Sequence, residues 1–163
     1  MTADQGIHAL RAADINVGEA VTPMVLNLTP TMIVAGAIAS RDFMPAHHDR
    51  GFATARGAPD VFMNIFTTNG YVSRFVTDWA GPEAMLRSIR IRLGAPAIPG
   101  KALRFSGRVA RKSAEGDEYV IEVAIRAAFK AIQAGKQVAV LVELKARFDE
   151  RKDRKSTRLN SSH

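Results

Sequence analysis

The sequence predicts an α+β fold in which an antiparallel sheet of about five strands wraps around one long central helix. One long stretch carries apolar residues at helical spacing, a strand-like segment precedes it, and four strand-like segments follow it. Consecutive strands joined by short turns form antiparallel sheets. A sheet with one apolar face must cover something, and the long apolar helix is the element of the right size.

The first part of the chain predicts a strand followed by a helix. Residues 21–28 are rich in Val, Met and Leu, and a short strand is expected there. Thr29 and Pro30 form a helix start, with a hydroxyl cap followed by proline at the first helical position. The helix is expected over 31–40 and, because it is apolar on nearly every side, it is expected to be heavily buried. A shorter helix is expected over 51–56.

The central helix is predicted between Asp60, a candidate cap, and the stop signal Gly81-Pro82. Apolar residues recur close to helical spacing from Val61 to Trp79. About twenty residues of helix would be roughly 30 Å long.

The rest of the chain predicts strands. Turn signals lie at 114–117 and 134–136, and the alternative of a helix over the Ala-rich stretch 124–131 stays open, because propensity alone does not decide. A curved antiparallel sheet around a central helix is the hot-dog architecture. The predicted strands are 85–93, 103–109, 119–131 and 138–148.

Length and composition narrow the class of protein. The 163 residues, 47 % of them apolar, suffice for one domain and are too few for two ordinary ones. Because the chain has no cysteine, a disulfide, a thiolate nucleophile and a Cys-based metal site are excluded. No apolar run approaches the roughly 18 residues of a membrane span, and no signal peptide is seen. We therefore expect a cytoplasmic protein with no membrane partner. The net charge of +7 comes with scattered basic residues and no nucleic-acid-binding motif, so no nucleic-acid partner is expected.

We expect the segment 153–163 to have a separate origin. Its sequence, DRKSTRLNSSH, is residue for residue the translation of a widely used sequencing adapter. We therefore expect a single domain over 1–152 followed by a non-native tail. Without the tail's three basic residues and one acidic residue, the net charge falls from +7 to +5.

Asp42 and His47 are the candidate reacting groups. On a helix, five residues turn through roughly 500°, which would point the two side chains apart, whereas a loop broken by Pro45 can bring them together. A carboxylate and an imidazole that share a water can move a proton at neutral pH. The other interpretation of these residues is a solvated polar loop. No metal site is expected, because His47, His48 and Asp49 are adjacent and suit few chelating geometries.

Residues 29–107 resemble the MaoC-like (R)-specific enoyl-CoA hydratases, which are hot-dog proteins. Residues 42–47, DFMPAH, match the D-x-N-P-x-H motif of that family. A closer resemblance is to the MaoC-domain subunits of heteromeric hydratases that degrade steroid side chains. It is carried by the segments RDF (41–43), HHDR (47–50), NI (64–65) and VTDWAGP (76–82).

This resemblance implies that Asp42 and His47 activate a water that adds to a trans-2-enoyl-CoA, possibly one with a steroid side-chain acyl group. It implies that the amino end of the central helix, near Asn64 and Ile65, binds the thioester oxygen. No cofactor is implied beyond the coenzyme A of the substrate, and a homodimer or a heteromer with a second MaoC-like chain is expected. Met44 stands where the motif has asparagine, and Ile65 stands where the family has a small residue. These departures keep two alternatives open: a non-catalytic acyl-CoA-binding or scaffold subunit, and a hot-dog thioesterase.

Overall fold

A computed structural model describes Leu10 and residues 12–116, 118–129 and 138–146, which form three helices and five strands. The predicted turn at 134–136 and the predicted tail at 153–163 lie outside the described residues. Among the described helices, none has the length and apolar character needed to cross a membrane. In chain order the elements are β1 (Ala20–Asn27), α1 (Pro30–Ala39), α2 (Arg50–Ala55), α3 (Ile65–Ala80), β2 (Ala84–Arg92), β3 (Ala102–Glu115), β4 (Glu118–Phe129) and β5 (Val138–Ala146).

The five strands form one sheet in the order β1-β3-β4-β5-β2, and every neighbouring pair is antiparallel. The predicted hot-dog fold is therefore confirmed. Strand β2 does not pair with β3, its successor in the chain, but lies beyond β5 at the far edge. The connector 93–101 thus crosses from one side of the sheet to the other, which places it across one end of the fold.

The core lies between α3 and the inner face of the sheet. The buried residues Val72, Phe75 and Val76 of α3 belong to the same apolar cluster as Phe105 of β3 and Val123 of β4. The rings of Phe75 and Phe105 are 6.0 Å apart. This helix is the element that the sheet wraps, as the sequence predicts.

Helix α1 begins as predicted but is less buried than expected. The Thr29 hydroxyl accepts a hydrogen bond from the backbone N–H of Met32 at 3.1 Å, and Pro30 is the first helical residue. Only Ile33 and Ala37 of this helix are buried, while Ile38 is 59 % exposed. The expectation of heavy burial is wrong because α1 packs on α3 with one face only, and its apolar opposite face lies outside the core.

Helix α3 begins four residues later than its sequence pattern predicts, and its cap is Asn64 rather than Asp60. The Asp60 carboxylate instead accepts two hydrogen bonds from the Arg50 guanidinium, both at 2.9 Å. Residues 61–64 belong to no helix or strand, and the N–H of Met63 donates to the carbonyl of Ala97 at 2.8 Å. The helical alternative for 124–131 is wrong as far as residue 129, because these residues belong to β4.

Candidate active site

The carboxyl end of α1 fixes the position of Asp42. Arg41 has a left-handed backbone with φ of 56°. Its N–H donates to the carbonyl of Ile38, and the N–H of Asp42 donates to the carbonyl of Ala37 at 2.9 Å. This pair of bonds is the Schellman motif that ends many helices. The backbone of Asp42 is therefore anchored directly to α1.

A short 3-10 turn over Pro45–His47 returns the chain towards Asp42. The His47 Nε2 atom lies 3.3 Å from the Asp42 Oδ2 atom. The Pro45 break predicted from the sequence thus brings the two side chains into contact. His47 is buried, whereas His48 is outside the cavity.

The His47 ring is oriented by Phe62. Its Nδ1 atom lies 2.7 Å from the Phe62 carbonyl oxygen, and the two rings pack edge to face with centroids 5.0 Å apart. Because a carbonyl oxygen only accepts hydrogen bonds, Nδ1 carries a proton. Nε2 is therefore the ring atom that faces Asp42: it is an acceptor in the neutral ring, whereas in the protonated ring it donates to the Asp42 carboxylate and so favours the ionised carboxyl.

Asn64 joins the Asp42 loop to the central helix. Its Nδ2 group donates to Asp42 Oδ2 at 2.9 Å and to Ser40 Oγ at 2.7 Å, and its Oδ1 accepts from the Thr67 N–H at 2.9 Å. The side chain is buried, and both of its amide hydrogens are used in these bonds. Asn64 therefore acts on Asp42 and on the helix start, rather than presenting its amide to the cavity.

The surroundings lower the pKa of Asp42. The hydrogen bond from Asn64 is the largest cause, partial burial opposes it, and the Met44 N–H and the His47 ring add to the lowering. The Met44 N–H donates to Asp42 Oδ1 at 3.3 Å, while its side chain is 50 % exposed. Met44, which stands in place of the motif asparagine, thus contributes to lowering the pKa of Asp42 through its backbone N–H. At neutral pH Asp42 is a carboxylate.

Asp42, His47, Asn64 and Ile65 line one cavity of about 490 Å³, so the structure brings the four predicted site residues together. The cavity lies between the loop before α3, the β2–β3 connector and the ends of β3 and β4. Its remaining lining residues are Phe62, Met63, Thr68, Leu93, Gly94, Ala95, Pro96, Ala97, Leu103, Ala127 and Ala128.

Ile65 is the first residue of α3, and within the described part of the chain no hydrogen bond occupies its N–H. The amino end of a helix carries unpaired N–H groups and a partial positive charge, which favours an anionic oxygen. The cavity therefore combines a polarising N–H with two adjacent acceptors, the Asp42 carboxylate and the His47 lone pair. A water beside these acceptors can donate a hydrogen bond to each of them.

The sequence analysis did not identify Ser40, the Phe62 carbonyl or Thr68 as parts of the site. Ser40 accepts from Asn64, and the Thr68 hydroxyl donates to the Asn64 carbonyl at 2.9 Å. Ser40 and Phe62 act through contacts with residues 15 to 24 positions away, for which local sequence patterns carry no signal. Among the residues that the structure describes, no group of three or more His, Asp or Glu side chains is arranged to hold a metal ion.

The profile of the family "Polyphosphate kinase C-terminal domain 1" matches residues 118–161. This match covers 44 of the 163 residues, about a quarter of the chain. Its described part consists of β4 and β5, two antiparallel strands within the sheet, and it also covers most of the predicted tail. The match is too short to assign the chain to that family.

Two comparisons extend much further. The chain is 48 % identical over 93 residues to the 3-oxo-4,17-pregnadiene-20-carboxyl-CoA hydratase beta subunit of Mycobacterium tuberculosis, covering 57 % of this chain and 72 % of that protein. It is also similar to a chain in the crystal structure of the ChsH1-ChsH2 complex from the same organism. That similarity has a TM-score of 0.73 and 41 % identity, and covers 81 % of this chain and 98 % of the other.

A third comparison concerns the fold. The R-hydratase PhaJ1 of Pseudomonas aeruginosa superimposes with a TM-score of 0.72 at 21 % identity, covering 83 % of this chain and 84 % of that one. The shared architecture, together with the extensive identity to the mycobacterial hydratase subunit, gives the assignment. The chain belongs to the MaoC-like (R)-specific enoyl-CoA hydratase family.

Proposed function

We propose that this chain adds water across the double bond of a trans-2-enoyl-CoA and supplies the catalytic pair Asp42 and His47. The observation that carries the proposal is the contact between these two side chains inside a cavity that is also lined by Ile65 at the helix start. The Asn64 hydrogen bond supports it further, because it keeps Asp42 ionised and fixed in place.

In this mechanism a water donates hydrogen bonds to His47 Nε2 and to the Asp42 carboxylate. The water oxygen attacks the β-carbon of the enoyl thioester, and one water proton passes to the Asp42–His47 pair. The electrons of the double bond move to the thioester oxygen, where the Ile65 N–H stabilises the negative charge. A proton returned from the pair to the α-carbon completes the hydration, so the enzyme ends in its starting protonation state.

For the substrate, we propose an enoyl-CoA derived from a steroid side chain. The name of the mycobacterial relative gives a pregnadiene carboxyl-CoA as that protein's substrate. Coenzyme A enters as part of the substrate, and the proposed reaction, an addition of water with no net oxidation, uses no further cofactor.

For the assembly, we propose a heteromer with a second hot-dog chain, with a homodimer as the other outcome. The similar mycobacterial chain is part of the ChsH1-ChsH2 complex. In this chain the outer strands β1 and β2 each have one edge without a partner among the described strands, and such edges are usually covered.

The test is the loss of enoyl-thioester absorbance on hydration, measured with the chain and its copurified partner. Asp42→Asn and His47→Ala are each expected to lower kcat by about 10²- to 10⁴-fold. His48→Ala is the matched control, because that histidine neighbours His47 in the chain but lies outside the cavity, and its activity is expected to be unchanged. Full activity in both site variants would refute the catalytic assignment.

A second candidate function is a non-catalytic subunit that shapes the acyl site of its partner. It is favoured by Met44, whose side chain replaces the motif asparagine, and by the bulky Ile65 at the helix start. A complex that keeps full activity with Asp42→Ala in this chain, and loses it only when the partner is mutated, would establish this role. Thiol release from a saturated acyl-CoA would instead indicate a thioesterase.

A further inference from the structure

Five small residues line the cavity on the side of the β2–β3 connector and β4, where Leu93, Pro96 and Leu103 also contribute. This small-residue wall consists of Gly94, Ala95 and Ala97 from the β2–β3 connector and Ala127 and Ala128 from the end of β4. The polar groups of the cavity come from elsewhere, namely from the segment between α1 and α3 and from the first turn of α3. The wall therefore shapes the space available to a ligand without contributing side-chain chemistry.

Ala127 is smaller than the residues that precede it on the inner face of β4. The inward-facing residues of β4 before it, Ile121, Val123 and Ile125, are β-branched and belong to the same buried cluster as α3. The next residue on this face is Ala127, which is also buried, at 3 % exposure, and lines the cavity. A side chain of the same size as its predecessors would project into the cavity.

The connector side of the wall is held in place. The Ala97 carbonyl accepts a hydrogen bond from the Met63 N–H at 2.8 Å, which links the connector to the segment just before α3. Ala97 also packs against the core cluster. The separation between the connector and the site is therefore set by a backbone hydrogen bond, and the wall is a fixed boundary.

We propose that this small-residue wall makes room for bulky, rigid acyl groups, and that Ala127 is the residue that determines whether they are accepted. The inference rests on the proposed hydratase function. A cavity of about 490 Å³ is within the usual range for a small-molecule site, roughly 300–1,000 Å³. A fused-ring acyl group cannot bend around a protruding side chain, whereas a four-carbon acyl group needs little of this space.

The experiment compares Ala127→Leu with wild type on two substrates, in the complex as purified. The substrates are crotonyl-CoA and a 2-enoyl-CoA whose acyl group carries fused rings. For the fused-ring substrate, kcat/KM is expected to fall at least about tenfold, since one added methylene in a pocket already changes discrimination by roughly 10–200-fold. For crotonyl-CoA it is expected to stay within about threefold. Ala124→Leu, on the exposed face of the same strand, is expected to leave both values unchanged.

The outcomes separate the inference from the function on which it rests. Equal loss on both substrates with an unchanged Tm, or no loss on either, would overturn the role of Ala127. If wild type hydrates crotonyl-CoA but not the fused-ring substrate, the inference fails and the hydratase function stands. If it hydrates neither, the function itself fails. Should Ala127→Leu not fold, Ala97→Val on the partly exposed connector must show the same selective loss.

Discussion

Asp42 is held as a carboxylate by groups that come from both sides of the site. The Asn64 amide makes the largest contribution to lowering its pKa, ahead of the Met44 N–H and the His47 ring. A carboxyl whose pKa is lower in the folded state stabilises that state above its unfolded-state pKa, about 4. This stabilisation is lost as the pH falls through the lower, folded-state pKa. Asp42 therefore adds to folding stability at neutral pH and stops doing so in acid.

Asn64→Asp tests this arrangement. The variant keeps an acceptor for the Thr67 N–H, so the cap of α3 is retained, but it removes the donor to Asp42 and adds a second carboxylate beside it. Like charges at contact distance disfavour joint ionisation, so the pKa of Asp42 is expected to rise. The acidic limb of the pH profile of kcat/KM should move upward by about one unit or more. An unmoved limb with reduced kcat would show that Asn64 acts on structure alone.

Ile65→Pro tests the backbone N–H as the donor to the thioester oxygen. Proline is well tolerated at the first helical position, and the residue before it must be extended. Asn64, with φ of −74° and ψ of 165°, already meets that requirement. The variant should fold and lose about 10²- to 10³-fold in kcat. Ile65→Ala removes the side chain but keeps the N–H, and should lose far less. Equal kcat in the two variants would rule out this donor.

For individual residues, the sequence predicts the contact between Asp42 and His47 better than it predicts the residues that hold them. Asp42 and His47 lie five positions apart around a proline, so local reasoning brings them together. The role of Asn64 depends on a contact with Asp42, 22 positions away, and on Ser40, 24 positions away. Asp60 is a typical helix-capping residue, but its carboxylate pairs with Arg50 instead. The helix is capped by Asn64, whose side chain accepts a hydrogen bond from the Thr67 N–H and also donates to the Asp42 carboxylate. Such competition between distant partners leaves no local pattern.

Helices α1 and α3 pack closely, so the position of α1 affects the site residues at the start of α3. The helices approach so closely at Gly36 that a Cβ atom there would lie 2.4 Å from Thr67 Oγ1. The Gly36 carbonyl also accepts a hydrogen bond from the Ser40 hydroxyl at 2.8 Å, and Ser40 contacts Asn64. A shift of α1 would therefore move both ends of the Asp42 network.

Gly36→Ala is expected to destabilise the fold by about 1–3 kcal/mol, because the added methyl overpacks the contact with Thr67. The hydratase activity should fall with it. Gly70→Ala is the matched control, since a methyl group added to this α3 glycine would meet no atom within 4 Å, and alanine favours helix by about 1 kcal/mol. Urea unfolding measures both free energies. If Gly36→Ala were as stable as Gly70→Ala, the close helix contact would not be a constraint.

Local sequence patterns predict the positions of the individual helices and strands well, but they predict poorly which elements pack against or pair with each other. The alternation of β2 and β5 locates both strands, yet their pairing, with Ile89 opposite Val142, joins segments far apart in the chain. The burial of α1 is also a property of its surroundings. Its composition is apolar all round, and only the face towards α3 finds a partner within the described chain. Periodicity specifies an element, whereas strand order and burial depend on the rest of the fold.

At the scale of the whole molecule, exposed apolar side chains occur near the candidate active site. They lie on the outer face of α1, in the loop that carries Asp42, and at the start of α3. Several exposed large apolar side chains near a cavity are typical of an interaction surface. Because Ile65 lines the cavity and Phe43 and Met44 follow Asp42 directly in the chain, a partner bound to this surface would lie next to the cavity. The most exposed of them are Ile38, Phe43, Met44, Ile65 and Phe66.

This surface predicts an assembly larger than a monomer. Light scattering at micromolar concentration should give at least a dimer, and coexpression with a second hot-dog chain should give a mixed complex. Ile38→Lys places a charge on the exposed apolar face of α1 and is expected to weaken the assembly by about tenfold or more in Kd, since burying an unpaired charge is costly. Ala55→Lys on α2, exposed and outside this surface, should leave the assembly unchanged. A monomer in both the single and the coexpressed preparations would contradict the prediction, whereas assembly that resists Ile38→Lys would place the interface on the strand edges of β1 or β2.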